Sequence, residues 1–152
     1  MRRFLSVVAA YLIACGVAAV GLGVHLAILA AVSSDLPVTG IKSAIEAVLG
    51  MVGGIGMLFL FLCLSAWPGF LVMRLLLWVL RRTDWPSFAV AGALNAVMVV
   101  VLMTWDQGFT VAQFVKYPPS PVVPLIGCIA GIAACLAERY FLQKASQAAA
   151  TA

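Results

Sequence analysis

The stretch from Ile41 to Leu80 reads IKSAIEAVLGMVGGIGMLFLFLCLSAWPGFLVMRLLLWVL, and its charged residues are Lys42, Glu46 and Arg74 alone. As one straight helix it would extend about 60 Å, twice the ~30 Å hydrocarbon layer of a bilayer. It must therefore break or bend. Pro68-Gly69 marks the place, because proline lacks an amide proton and its ring collides with the preceding turn. Two arrangements follow. Either Ala44 to Trp67 spans and Phe70 to Leu80 lies along the inner surface, or the span runs from about Gly50 to Arg74 and kinks at Pro68. A surface-lying helix needs a polar face, and Phe70 to Leu80 is apolar on nearly every side, which favours the kinked span.

The rest of the chain has the same character. Of 152 residues, 65% are hydrophobic and 9% charged. A water-soluble domain of this size carries about a quarter charged residues, so composition excludes a soluble monomer. Apolar runs at 4–32, 50–80, 88–105 and 122–142 predict four spans in a single membrane domain covering 1–152. Polar and turn-forming residues separate them: Ser33 to Gly40, Arg81 to Ser87, and Asp106 to the stiff Pro118-Pro119-Ser120-Pro121. The first run is too long for a cleavable signal peptide. Leu12-Ile13-Ala14-Cys15 has the form of a lipoprotein site, but a lipoprotein turns polar after its cysteine and this run continues to Val32.

Charge orients the spans. Arg2, Arg3, Arg74, Arg81, Arg82, Arg139 and Lys144 fall at the two termini and the middle loop, while Lys42 and Lys116 fall on the other side. Excess Lys and Arg marks the cytoplasmic face. The expectation is a four-transmembrane-helix bundle with both termini cytoplasmic, in a bacterial-type inner membrane. Trp67, Trp78 and Trp85 suit the inner interfacial belt, and Trp105 with Tyr117 the outer. The basic residues form no stripe interleaved with exposed aromatics, so no nucleic-acid partner is expected.

Small residues recur every fourth position: Cys15, Ala19, Gly23, Ala27 and Ala31 in the first run, Gly50 and Gly54 in the second, Gly127, Gly131 and Cys135 in the fourth. Such faces let helix backbones approach closely in lipid. They predict packing within the bundle, with one stripe left for a second copy or a larger membrane complex.

Ionisable and polar groups inside the spans are few. His25 is the one histidine, in the outer half of the first span. Arg74 and Glu138 stand at similar depth on different spans, and contact between them, or with Arg139, is expected; the alternative is that Arg74 snorkels to lipid phosphates. Asn95 is a candidate for a hydrogen bond across the bundle. Together Arg74, Asn95 and Glu138 could line a polar path on the inner side.

Little here supports catalysis. Glu46 and Asp106 near the outer loops could approach each other, but a carboxylate pair without pocket, metal or nucleophile specifies no reaction. Gly21-x-Gly23 lies inside a span and is no nucleotide fingerprint. The cysteines, Cys15, Cys63, Cys128 and Cys135, all lie in apolar runs without a C-x-x-C pair, which argues against a disulfide framework and a zinc site. Small multidrug exporters are of similar length but depend on a carboxylate in the first helix, where this chain has only His25. The expectation is no enzyme and no cofactor: an accessory or scaffolding subunit acting by helix packing, or alternatively a small oligomeric transporter or channel.

Overall fold

The computed structural model describes residues 2–33, 41–105 and 120–150, and every regular element among them is helical. In chain order these are α1 (Arg2–Ser33), α2 (Ile41–Ser65), α3 (Trp67–Val79), α4 (Trp85–Trp105) and α5 (Val122–Ala150). Four contain segments long and apolar enough to cross a membrane: Phe4–Ala30, Ile45–Ser65, Trp85–Leu102 and Val122–Lys144. The chain is thus an all-helical bundle of multi-pass membrane type. The segment 34–40, and the loop holding Asp106, Lys116 and Pro118-Pro119, lie outside the described residues.

The long apolar run divides where the sequence marks it. Regular helix stops at Ser65 and resumes at Trp67, with Pro68 in the first turn of α3. The interruption precedes the proline because the ring has no N–H for the Leu64 carbonyl and crowds the turn before it. Backbone bonds still bridge the gap, from Ala66 N–H to the Leu62 carbonyl and from Phe70 N–H to the Ala66 carbonyl, both 2.9 Å. The second spanning segment accordingly begins at Ile45, earlier than the reading from about Gly50, and α3 continues it as a separate shorter helix.

Helix α3 closes by chain reversal. Arg81 adopts the left-handed conformation at φ 51°. Its N–H bonds the Trp78 carbonyl at 3.1 Å and that of Arg82 bonds the Leu77 carbonyl at 2.9 Å. This pair of bonds is the Schellman closure, usually built on glycine. Asp84 then starts α4: its Oδ2 accepts from the Ser87 hydroxyl at 2.9 Å and from the Ser87 N–H at 3.3 Å. Those bonds favour the carboxylate and hold Asp84 below its usual pKa of 3.8. A depressed carboxylate contributes stability above the unfolded-state value and loses it as pH falls through the folded one. Acidification below the ordinary aspartate range is therefore expected to fray the start of α4, read as faster amide exchange at Ser87 and Phe88, and Asp84→Ala should remove that pH dependence.

Adjacent long helices run antiparallel, and the contacts define the register. Tyr11, Gly16 and Gly23 of α1 meet Phe70, Phe59 and Ile55 in descending order along α3 and α2. Gly92 of α4 lies against Gly127 and Gly131 of α5, and Phe88 lies against Gly131. The start of α1, the α3–α4 turn and the later part of α5 consequently share one end of the bundle. That end carries Arg74, Arg81, Arg82 and Arg139.

The α4–α5 seam is the tightest contact. A Cβ at Gly92 would collide with the Gly127 carbonyl oxygen and stand 3.0 Å from the Gly131 Cα. A Cβ at Gly131 would collide with the Phe88 carbonyl oxygen, and one at Gly127 would come within 2.7 Å of the Ala96 methyl. Around the other seam, Tyr11, Cys15, Ala19 and Leu62 form a buried cluster joined by Trp67 and Phe70. All four cysteines are free thiols, with Cys15 and Cys135 fully buried.

Candidate functional site

Between the five helices lies a cavity of about 300 Å³, walled almost wholly by apolar side chains. Arg74 and Phe88 stand at one end, Leu22 and Val123 at the other. Along α4 the lining residues run from Phe88 to Val100, a rise of about 18 Å. The cavity exists because the glycines of the α4–α5 seam hold those two helices together while the bend at Ala66 carries α2 and α3 around it.

Arg74 supplies the charge at the arginine-bearing end. Its guanidinium pairs directly with the Glu138 carboxylate of α5 and lies 5.4 Å from the centre of the Phe88 ring. The two charged side chains are 28% and 14% exposed, so the pair is sheltered by the bundle rather than standing in water. The expected contact between them is therefore direct. Arg139 instead donates to the Thr83 carbonyl at 2.7 Å and ties α5 to the α3–α4 turn.

Asn95 also lines the cavity, but the expected bond across the bundle is not made through its carbonyl. Oδ1 is buried and without a hydrogen-bond partner among the described residues. It is pressed onto Gly69, where an added Cβ would collide with it. The close approach of α4 to α3 takes the space a donor would need. Of the three polar candidates, Arg74 and Asn95 face the cavity, and Glu138 joins them through its bond to Arg74. His25 stands apart. It is half-buried, and from Tyr11 to His25 the helix rises about 21 Å.

The small-residue stripes divide into used and unused. Cys15 and Ala19 are buried in the α1 seam, and Gly23 is covered by Ile55. Gly127 and Gly131 are consumed in the α4–α5 seam. Ala27 and Gly54 line an open groove between the later part of α1 and the earlier part of α2. Among the described residues, nothing lies within 4 Å of a Cβ added at Gly50, Gly53, Gly54 or Gly56. The α2 stripe is thus left uncovered.

Tyr11, not singled out by sequence, proves central. Its hydroxyl donates to the Cys63 carbonyl at 2.8 Å and the Leu62 carbonyl at 3.1 Å. Its ring packs 4.8 Å from both Trp67 and Phe70. Backbone groups released by a broken helix need partners inside a membrane, and Tyr11 provides one at the break. The available signal was its place on the stripe, four residues before Cys15. Tyr11→Phe is expected to cost about 1–3 kcal/mol, the penalty of a buried acceptor left short. Thermal denaturation in detergent measures it, and the loss should shrink in a Pro68→Ala background, where the helix can run through.

No family model, curated protein or solved structure matches this chain. Among the described residues no group of three His, Cys, Asp or Glu side chains stands close enough to share a metal ion.

Proposed function

We propose that this chain is an accessory subunit of a bacterial-type inner membrane, with both termini in the cytoplasm, and that α2 is its docking helix. The reading rests on the uncovered face of α2. Only 6% of the α2 spanning segment is buried, against 11% for α4, 28% for α1 and 33% for α5. Helical spacing puts Gly50, Gly53, Met57 and Leu64 on one side, away from α1, and all four are exposed. Two of them are large, Met57 at 71% and Leu64 at 81%. Glycine facing acyl chains shields its backbone poorly and packs little, whereas against another helix it permits close contact. A face of glycines above and bulky side chains below gives a second helix a hollow and a knob.

The orientation rests on the arginines gathered at one end, which the positive-inside rule assigns to the cytoplasm. The test is association in lipid. Protein extracted in a mild detergent and returned to nanodiscs should carry a second copy or a stoichiometric partner, and Gly50→Ile with Gly53→Ile should release it without lowering thermal stability. A monodisperse monomer that binds nothing at all protein-to-lipid ratios would sink the proposal.

A second reading, a small oligomeric transporter, is supported by the Arg74–Glu138 pair beside a cavity. It requires a solute flux in vesicles that Glu138→Gln abolishes while the fold survives.

A further inference from the structure

We infer that the interhelical cavity is a binding site for one long-chain fatty acid, its alkyl chain between the helices and its carboxylate at Arg74. Shape comes first. A void of about 300 Å³ is twice the ~150 Å³ engineered apolar cavity that stays dry and takes up benzene. Water gains nothing on such walls, so an apolar guest fills them. The lining extends about 18 Å along α4, close to the ~15 Å depth of one leaflet's hydrocarbon. That volume and that length match a single alkyl chain.

Chemistry at the two ends differs. One end, at Leu22 and Val123, is wholly aliphatic. The other, arginine-bearing end holds the Arg74 guanidinium, which has five N–H donors and a direct bond to one Glu138 oxygen. The remaining donors can take a carboxylate in the forked geometry that arginine favours. Arg81, Arg82 and Arg139 share this end of the bundle and, with Arg74, outnumber Asp84 and Glu138, so its field is complementary to an anion. Asn95 lines the cavity too, with its unpartnered oxygen buried against Gly69. A two-chain phospholipid would have to leave one chain outside; a fatty acid places its whole apolar part within.

The inference is independent of the role given to α2. Its test uses the full chain in vesicles of neutral phospholipid, with hexadecanoate carrying a mid-chain diazirine as the probe. After illumination, peptide mass spectrometry should place adducts on cavity residues such as Ala18, Ala96 and Ala130, and unlabelled hexadecanoate should suppress them saturably. Val99→Phe, which fills the cavity, should remove these adducts while retaining or raising thermal stability. Arg74→Gln should raise the competitor concentration needed about tenfold. Should Val99→Phe fail to fold, saturable competition on the unaltered protein still decides the matter. Adducts confined to lipid-facing residues such as Leu64, Val72 and Leu94, or labelling that competitor does not saturate, would overturn the inference. A diazirine phospholipid that labels the cavity as efficiently as the fatty acid would overturn the choice of ligand.

Discussion

Gly92→Leu is expected to destroy the bundle, while Gly56→Leu leaves it intact. Both replace a helical glycine by the same side chain, so intrinsic helix propensity changes alike and slightly favours the variant. Only the surroundings differ. Among the described residues nothing lies within 4 Å of a Cβ at Gly56, whereas one at Gly92 runs into the Gly127 carbonyl oxygen, with the Gly131 backbone 3.0 Å away. Inserting a larger side chain among other side chains costs about 1–3 kcal/mol, because rotamers can yield. Backbone cannot rotate aside, so α4 and α5 must separate along the whole seam, giving up the Phe88–Gly131 and Ala96–Gly127 contacts together. The cost should exceed the upper end of that range, a large part of the ~5–15 kcal/mol that holds a typical domain together. Detergent-solubilised Gly92→Leu should aggregate or run as an expanded species on size exclusion. Gly56→Leu should elute and melt as the parent does, within about 0.5 kcal/mol. Equal behaviour of the two variants would mean that the seam is not the bundle's main closure. Gly92→Ala, with one carbon in place of four, should fall between them.

That contrast also shows what the sequence could and could not reveal. Hydropathy and charge are properties of the chain, and they placed four spans, the bend near Pro68 and the clustering of arginines at one end. Spacing by four identified faces that permit close approach. It could not say which face meets which: Gly50 and Gly54 have the same spacing as Gly127 and Gly131, yet the first pair is open and the second is sealed against α4. Pairing depends on the register between helices, which no single stripe encodes. Gly92 with Ala96 was legible as the missing partner only once α4 was set against α5. Tyr11 escaped for a similar reason. Its use as a donor to the Cys63 and Leu62 carbonyls arises only because the break at Ala66 sets them beside it. Asn95 was read as a cross-bundle donor or acceptor, but the approach of α4 to Gly69 set its carbonyl against backbone carbon. The Arg74–Glu138 contact was more accessible, since opposite charges at matched depth in an apolar medium have few other partners.

Removing one member of that pair should cost more than removing both. Arg74 and Glu138 are bonded to each other across α3 and α5 at the arginine-bearing end of the cavity. In Glu138→Met, Arg74 keeps its charge and its place beside Phe88 but loses its counter-ion. Breaking a fully buried pair in this way costs about 3–5 kcal/mol. With side-chain exposures of 28% and 14%, the guanidinium retains some access to solvent or headgroups, so the expected loss lies at or just below the lower end, about 2–3 kcal/mol. Arg74→Met should cost a similar amount by stranding the carboxylate. The double variant Arg74→Met with Glu138→Met strands nothing and fills the site with apolar volume, and it should recover most of the parent's stability. Thermal or denaturant unfolding of all four proteins closes the cycle, with a coupling of about 1.5–3 kcal/mol expected. Coupling below about 0.5 kcal/mol would place Arg74 at the interface, snorkelling, with Glu138 incidental to it. The cycle also separates structural from functional use. If the double variant is stable but no longer takes up the diazirine fatty acid, the guanidinium serves the cavity as well as the fold. If it is stable and binds the probe unchanged, the pair is there to join α3 to α5, and the chain's affinity for an alkyl guest lies in the walls alone.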